Sequence, residues 1–195
     1  MDHAVVVAHL RSQVYFGGCI DLVPYTSNYA ADIVRLRNLP EVRYFLNQKE
    51  ESTLESQLAW SKGYGLRSND VFWVVRSKSG DIIGCNRLYN ISNNQLEKGS
   101  LIVDPNYART QPIALETDLF LMKIAFSRFY IDKIVTTVRS ENLKTRSMNQ
   151  RFGFTEVGPE KIRGVTYIQC QLLREVFEPA PFETILNYWS KRNER

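Results

Sequence analysis

The rhythm of apolar and polar positions changes near residue 70 of this chain. Ahead of that point apolar residues fall mainly at helical spacing. "NYAADIVRLRN" sets Ala31, Val34 and Leu36 along one side of a helix, with Asn28 placed to cap it. "LPEVRYFL" predicts a short further turn, because Pro40 suits a first helical position, where the N–H it lacks has no partner anyway. "STLESQLAWSKGYG" opens on a capping-box pattern, Ser52 with Glu55 or the same box moved on to Thr53, and stops at glycines. Before these helices, "VYFGGCIDLVPY" reads as a first strand with a glycine kink or turn.

Beyond residue 70 the pattern becomes that of strands. "DVFWVVRSKSGDIIGCNRLYNI" is a hairpin turning at "SKSGD", and "QLEKGSLIV" is a further strand. After Pro112, Leu115, Leu119, Met122, Phe126 and Phe129 recur at intervals of four and three, which predicts a helix over 113–129. "KIVTTVRS" is a buried-type strand, and "ENLKTRSMNQRFG" a helix stopped by Gly153. "FTEVGPEKIRGVTYIQCQLL" gives two strands joined by a turn, and "PFETILNYWSKR" a last helix. The order β-α-α-β-β-β-α-β-α-β-β defines an α/β (α+β) class, a mixed sheet with helices packed across it. The helix 113–129 links strand 101–103 to strand 133–140 as a parallel β-α-β unit. Ligands tend to bind outside the C-terminal ends of such strands. Neither a linker nor a repeat divides the 195 residues, so one domain is expected.

Composition narrows the function. With 44% hydrophobic and 24% charged residues, the chain reads as globular. No apolar run approaches the ~20 residues of a membrane helix. "MDHAVVVAHL" fits a signal peptide poorly, since Asp2 and two histidines precede and interrupt its apolar patch. Cys19, Cys85 and Cys170 lack zinc or disulfide spacing, so reduced thiols and a cytoplasmic setting are expected, with no metal. The net charge of +4 is dispersed, which suits a small anion such as a nucleotide phosphate better than nucleic acid. His3 and His9 are the only histidines, so a histidine-based nucleophile pair or metal site would have to use the N-terminal tail. The chemistry therefore falls to carboxylates, hydroxyls, backbone dipoles or a reactive cosubstrate.

Three stretches in order, "LRNLPEVRYFL", "IVDPNYARTQPIALETDLFLMKIAF" and "SENLKTRSMNQRFGF", resemble the GCN5-related N-acetyltransferase (GNAT) superfamily. With the hairpin between them the resemblance covers about residues 15–175, leaving a C-terminal extension over 176–195. It is greatest to the branch holding the ribosomal-protein N-terminal and nucleotide-aminosugar acetyltransferases. That resemblance implies a mostly antiparallel sheet with a splayed parallel pair, acetyl-CoA as cosubstrate and a primary amine, on a small molecule or peptide, as acceptor. The helix "RYFLNQKEESTLESQLAW", ending in Trp60, tilts the acceptor toward an amino sugar nucleotide over a protein N-terminus. Nucleic acid and membrane are not implied as partners, and the two termini are candidates for a homodimer contact.

The same resemblance assigns residues. The family's pyrophosphate loop, Arg/Gln-x-x-Gly-x-Gly/Ala, corresponds to Arg109, Thr110, Gln111, Pro112, Ile113 and Ala114. Pro112 replaces the central glycine and cannot donate to a phosphate. Losing one charge-assisted bond costs ~1.5–3 kcal/mol, roughly ten- to a hundredfold in affinity. Ile102 or Val103 would polarise the acetyl carbonyl through its backbone N–H, and Asn142 would contact the cofactor or cap the next helix. Thr145 stands where the branch has a serine near the thiol, whereas Asn149 replaces the tyrosine that many members use as the acid. Glu97 is the candidate base, ahead of Asp104 and Glu116, of which Glu116 also suits the helix dipole. Tyr64, Trp60, Tyr89 and Arg87 are candidates for the acceptor side. The rival reading is a binding protein of this fold that has lost acetyl-CoA-dependent catalysis.

Overall fold

The computed structural model describes residues 2–46, 48 and 50–193, without the side chains of the last two. In chain order the elements are α1 (His3–Leu10), β1 (Tyr15–Phe16), β2 (Ile20–Pro24), α2 (Ala30–Asn38), α3 (Pro40–Arg43) and α4 (Leu54–Gly65). There follow β3 (Val71–Ser77), β4 (Ile82–Tyr89), β5 (Gln95–Val103), α5 (Pro105–Ala108), α6 (Ile113–Arg128) and β6 (Lys133–Arg139). The chain closes with α7 (Leu143–Arg151), β7 (Thr155–Ile162), β8 (Val165–Leu173) and α8 (Ala180–Asn193).

The eight strands form one sheet in the order β1-β2-β3-β4-β5-β6-β8-β7. Every pairing is antiparallel except that of β5 with β6. The unbroken apolar run of β3 follows from its place: helices cover both faces, so both sets of side chains are buried. Val71, Trp73 and Val75 join one core with Val7 and Leu10 of α1 and Leu119, Met122 and Ala125 of α6. Phe72 and Val74 join the other, with Ile33 and Leu36 of α2 and Tyr64 of α4.

The predicted elements all form, with shifts at their edges. The first strand divides into β1 and β2 around the turn at Gly17–Gly18. A Cβ at Gly17 would stand 2.6 Å from Glu116 Oε1, so only glycine fits there. A 3₁₀ turn over Ser27–Tyr29 moves the start of α2, so Asn28 does not cap it. The buried set is Ala30, Ile33 and Leu36 in place of Ala31, Val34 and Leu36. On α4 the capping box is Thr53 with Ser56, each hydroxyl accepting from the other's N–H at 3.1 Å. Two helical elements were not anticipated, α1, capped by Asp2, and α5, capped by Asp104.

Candidate active site

β5 and β6 pair only through Gln95–Lys133, Leu96–Ile134 and Glu97–Val135. Beyond Glu97 both strands continue without pairing to each other, so the sheet opens into a gap. The cause lies in β5. Its register against β4 passes from Arg87–Gly99 to Cys85–Ile102, a bulge that sets Ser100 and Leu101 opposite Asn86. Ser100 takes a left-handed φ of 57°, uncommon for a residue with a Cβ.

Buried polar groups brace both sides of the bulge. On the α6 face Lys98, only 3% exposed, reaches Asp118 Oδ2 at 2.6 Å, and Asn86 Nδ2 donates to Asp118 Oδ1 at 2.9 Å. Lys98 Nζ also donates to Asn149 Oδ1 at 3.4 Å. This ties β5 to α7, the helix that follows β6. Asn149 is 1% exposed, and its Nδ2 has no partner among the described residues. On the other face Glu97 accepts from the Tyr89 hydroxyl and from Asn90 Nδ2 at 2.9 Å. Burial pushes the Tyr89 phenol well up, and its bond to Glu97 pushes it further, so it stays a donor.

The strand end beside the gap gives the two candidate N–H donors different directions. Asp104 N donates to Ile83 O at 2.7 Å, in register with the Cys85–Ile102 pair. By the alternation of a strand, Ile102 then turns its peptide groups to β4, and Val103 aims its N–H to the gap side. The side chain of Ile102 is buried among Phe72, Val74 and Cys85.

The loop from β5 to α6 starts with α5, on which Asp104 Oδ1 accepts from Asn106 N at 3.0 Å. Arg109 ends that turn, exposed, with no partner among the described residues for its guanidinium. Thr110 is also exposed, its hydroxyl donating to Tyr107 O at 3.2 Å. Pro112 is the N-cap of α6, so Ile113, Ala114 and Leu115 form the first helical turn, whose N–H groups have no intrahelical acceptor. The Ile113 side chain lies in the core and Gln111 is half-buried. Glu116, 4% exposed, is neither free nor basic in role: it accepts from the N–H groups of Gly18, Cys19 and Ile20 at 2.6, 2.8 and 3.1 Å.

On the other bank, Asn142 caps α7, its Oδ1 accepting from Thr145 N at 3.2 Å. The loop residues and Val103 thus lie on the β5 bank, and Asn142 and Thr145 on the β6 bank. Glu97 sits at the last paired rung between them. Two cavities flank the opening. One, of about 390 Å³, meets the bulge at Ser100 and is walled by Arg37, Ser52, Gln57, Trp60 and Arg87. The other, of about 430 Å³, lies past the end of β6 between Arg43, Tyr44, Gln48, Arg139, Arg163 and Tyr167. Of the residues expected on the acceptor side, Trp60 and Arg87 line the first cavity. Tyr64 packs behind, stacked on Trp60 at 5.2 Å.

A mixed sheet parting between two parallel strands, with a helix N-terminus delivered to the parting, is the architecture of the GNAT acetyltransferases. The family model described as "Acetyltransferase (GNAT) domain" matches residues 20–155, and the chain belongs to that family of N-acetyltransferases. Solved structures agree in fold. A GCN5-related N-acetyltransferase from Brucella melitensis is 19% identical, with a TM-score of 0.73 over 91% of this chain and 85% of that one. The apo form of FdhC, a nucleotide-linked sugar GNAT, is 19% identical, with a TM-score of 0.72 over 84% and 92%. Spermidine N-acetyltransferase from Vibrio cholerae, solved with CoA and spermine, is 17% identical, with a TM-score of 0.73 over 82% and 98%. No curated protein sequence matches the chain. No described helix is long and apolar enough to cross a membrane, and no described acidic, histidine and cysteine side chains cluster to hold a metal.

Proposed function

We propose that the protein acetylates a primary amine with acetyl-CoA, within the branch whose acceptors are amino sugar nucleotides or protein N-termini. The observation that carries this reading is the parting of β5 from β6 beyond Glu97, with the α6 N-terminus at its head. The local residues fit the cosubstrate. Arg109 offers a free guanidinium and Thr110, whose N–H is taken by Tyr107 O at 3.2 Å, an exposed hydroxyl, while Gln111, Ile113 and Ala114 bring backbone donors and the positive end of a sixteen-residue helix toward a pyrophosphate. Acetyl-CoA supplies the activated thioester.

The chain's own groups do the rest. The Val103 N–H, beside Ile102, would stabilise the charge that the acetyl carbonyl gathers. Asn142, through its amide NH₂, and the Thr145 hydroxyl would stabilise the sulfur from the opposite bank. Glu97 takes the proton of the ammonium, directly or through a water, at a carboxylate already oriented by Tyr89 and Asn90. Reduced thiols, a cytoplasmic setting and a homodimer belong to the same proposal.

Calorimetric titration with acetyl-CoA, and with CoA for comparison, tests the reading. Micromolar affinity is expected, followed by thiol release with nucleotide-linked amino sugars or N-terminal peptides. Absence of binding by either ligand at millimolar concentration overturns it, in favour of a binding protein that kept the fold without the cosubstrate.

A further inference from the structure

The two cavities beside the gap share a polarity. Five arginines line them, and no carboxylate does among the described residues. Most of these arginines are nevertheless paired nearby. Arg43 meets Glu51 at 2.7 Å, Arg139 meets Glu141 at 2.9 Å, and Arg87 is clamped on Asp70 by two hydrogen bonds. Asp70 also serves Arg67 at 3.1 Å, so that single carboxylate is shared by two guanidiniums.

Arg37 differs. It projects from α2 into the cavity at Ser100 and is half-buried. Its Nε and Nη2 donate to Gln48 Oε1 at 3.1 and 2.8 Å, and Nε also to Ser52 Oγ at 3.2 Å. Both partners are neutral, and no carboxylate among the described residues lies within ion-pair reach. Burial pulls its pKa below the usual arginine value, and the nearby Arg87 charge adds to that. A cation held in this way gains more from an incoming anion than one already neutralised. Gln48 joins the two cavities: it receives Arg37 from one and forms part of the wall of the other. In that second cavity Arg163, exposed at the β7–β8 turn, has no partner among the described residues.

We infer that the acceptor amine carries an oxyanion, phosphate or carboxylate, which Arg37 binds with Arg87 beside it and Arg163 at the far end. This rests on the acetyl-transfer reading above. The free amine then reaches the gap at Ser100 while the anion anchors away from it, and a polycation such as a polyamine is repelled from both cavities. A plain peptide N-terminus offers no such anchor, so the inference selects the phosphorylated acceptors within the proposed branch, or an amino acid.

Binding to the CoA-saturated protein, measured by calorimetry with matched amines, tests it. A uridine-diphosphate-linked amino sugar is compared with the free amino sugar, tyrosine with tyramine, and spermidine is titrated alone. At least one anionic member is expected to bind about tenfold or more tightly than its partner lacking the anion. The pair that shows this ratio tells phosphate from carboxylate. Arg37→Gln should erase the ratio while acetyl-CoA affinity holds. Arg37→Lys, which keeps the charge without the planar fork, should retain part of it and serves if the glutamine variant folds poorly. Spermidine or the members lacking the anion binding as tightly, the ratio persisting in Arg37→Gln, or no binding by either anionic member at millimolar concentration each overturns the inference. Loss of acetyl-CoA binding by the unmodified protein marks instead the failure of the acetyl-transfer reading.

Discussion

Glu116 gives the most direct test of how the loop end of the sheet is held. It is the fourth residue of α6, yet its carboxylate takes three hydrogen bonds from the turn between β1 and β2 and the first residue of β2. Replacing it with glutamine leaves one acceptor oxygen and points an amide NH₂ at backbone N–H groups, donor against donor. A bond to a charged acceptor contributes about 1.5–3 kcal/mol and a neutral one about 0.5–1.5. The Gly18 bond lies at an exposed position and counts for little; the two buried bonds fall from about 3–6 to about 1–3 kcal/mol, so Glu116→Gln should destabilise by roughly 2–4 kcal/mol. Glu116→Ala strands two buried donors, the Cys19 and Ile20 N–H groups, at about 1–3 kcal/mol each and also removes the bond to the exposed Gly18, so roughly 3–6 kcal/mol is expected. A chain of this size loses about 2–4 °C in Tm per kcal/mol, so the glutamine variant should melt roughly 4–16 °C lower.

Urea denaturation and a thermal scan of the three proteins provide the measurement, with the ordering wild type, glutamine, alanine. Gly17→Ala should resemble Glu116→Gln, because its methyl would meet the same carboxylate oxygen and the Phe120 ring at 2.7 Å. A glutamine variant within about 1 kcal/mol of wild type would refute the reasoning, since it would mean that the three short bonds add nothing over hydration.

Further outcomes follow from other groups. Lys98→Met leaves Asp118 buried with Asn86 as its remaining partner and should cost about 3–5 kcal/mol, with Asp118→Asn in the same chain restoring part; urea curves of single and double variants decide it, and a silent single variant contradicts it. Arg109→Ala should leave Tm unchanged and weaken acetyl-CoA binding about tenfold, and equal calorimetric affinity would remove Arg109 from the site. The Asp21 carboxyl is pushed up by partial burial, but hydrogen bonds from Lys78 and Arg76 and their charges outweigh this and hold it below the usual range. Its contribution is therefore complete above the unfolded value of about 3.9 and is lost as pH falls through the lower folded value. Asp21→Asn should flatten the acid limb of stability against pH, and an unchanged limb would count against the pairing.

Much of the fold was legible because its signals are local. The β3–β4 hairpin, the helix after Pro112 and the stop at Gly153, whose φ is 94°, each follow from residues within a few positions. Helix α1 was missed because three consecutive valines argue against a helix on intrinsic preference. What overrides that preference is the burial of Val7 and Leu10 and the cap at Asp2, whose Oδ1 accepts from Ala4 N at 2.9 Å. The Asp104–Pro105 pair was a readable start for α5, an N-cap followed by proline at N1. The site was less legible. Arg37 on an amphipathic helix reads as a solvated charge until α4 and the connector carrying Gln48 fold over it. Lys98 reads as a surface lysine in a strand, since its partners Asp118 and Asn149 lie twenty and fifty-one positions away.

These charges bear on why the gap exists before any ligand enters. A bulged strand with a left-handed serine is strained, by about 1–3 kcal/mol for such a backbone, and persists only where its surroundings fix it. Here Lys98 is pinned from one face by Asp118 and Asn149, and Glu97 from the other by Tyr89 and Asn90, so the last paired rung is held on both sides. Asn86 joins these supports, since its Oδ1 accepts from Arg87 N at 2.9 Å while its amide reaches Asp118. The chain thus carries the strain of separation in its resting fold. A pantetheine-sized group entering between β5 and β6 need not break a ladder. This matters for a loop in which proline replaces a glycine. On the proposed acetyl-CoA reading the donor lost at Pro112 would weaken binding, but with the gap already open the remaining first-turn N–H groups and Arg109 would act on a preorganised site, and less of their interaction would be consumed in rearrangement.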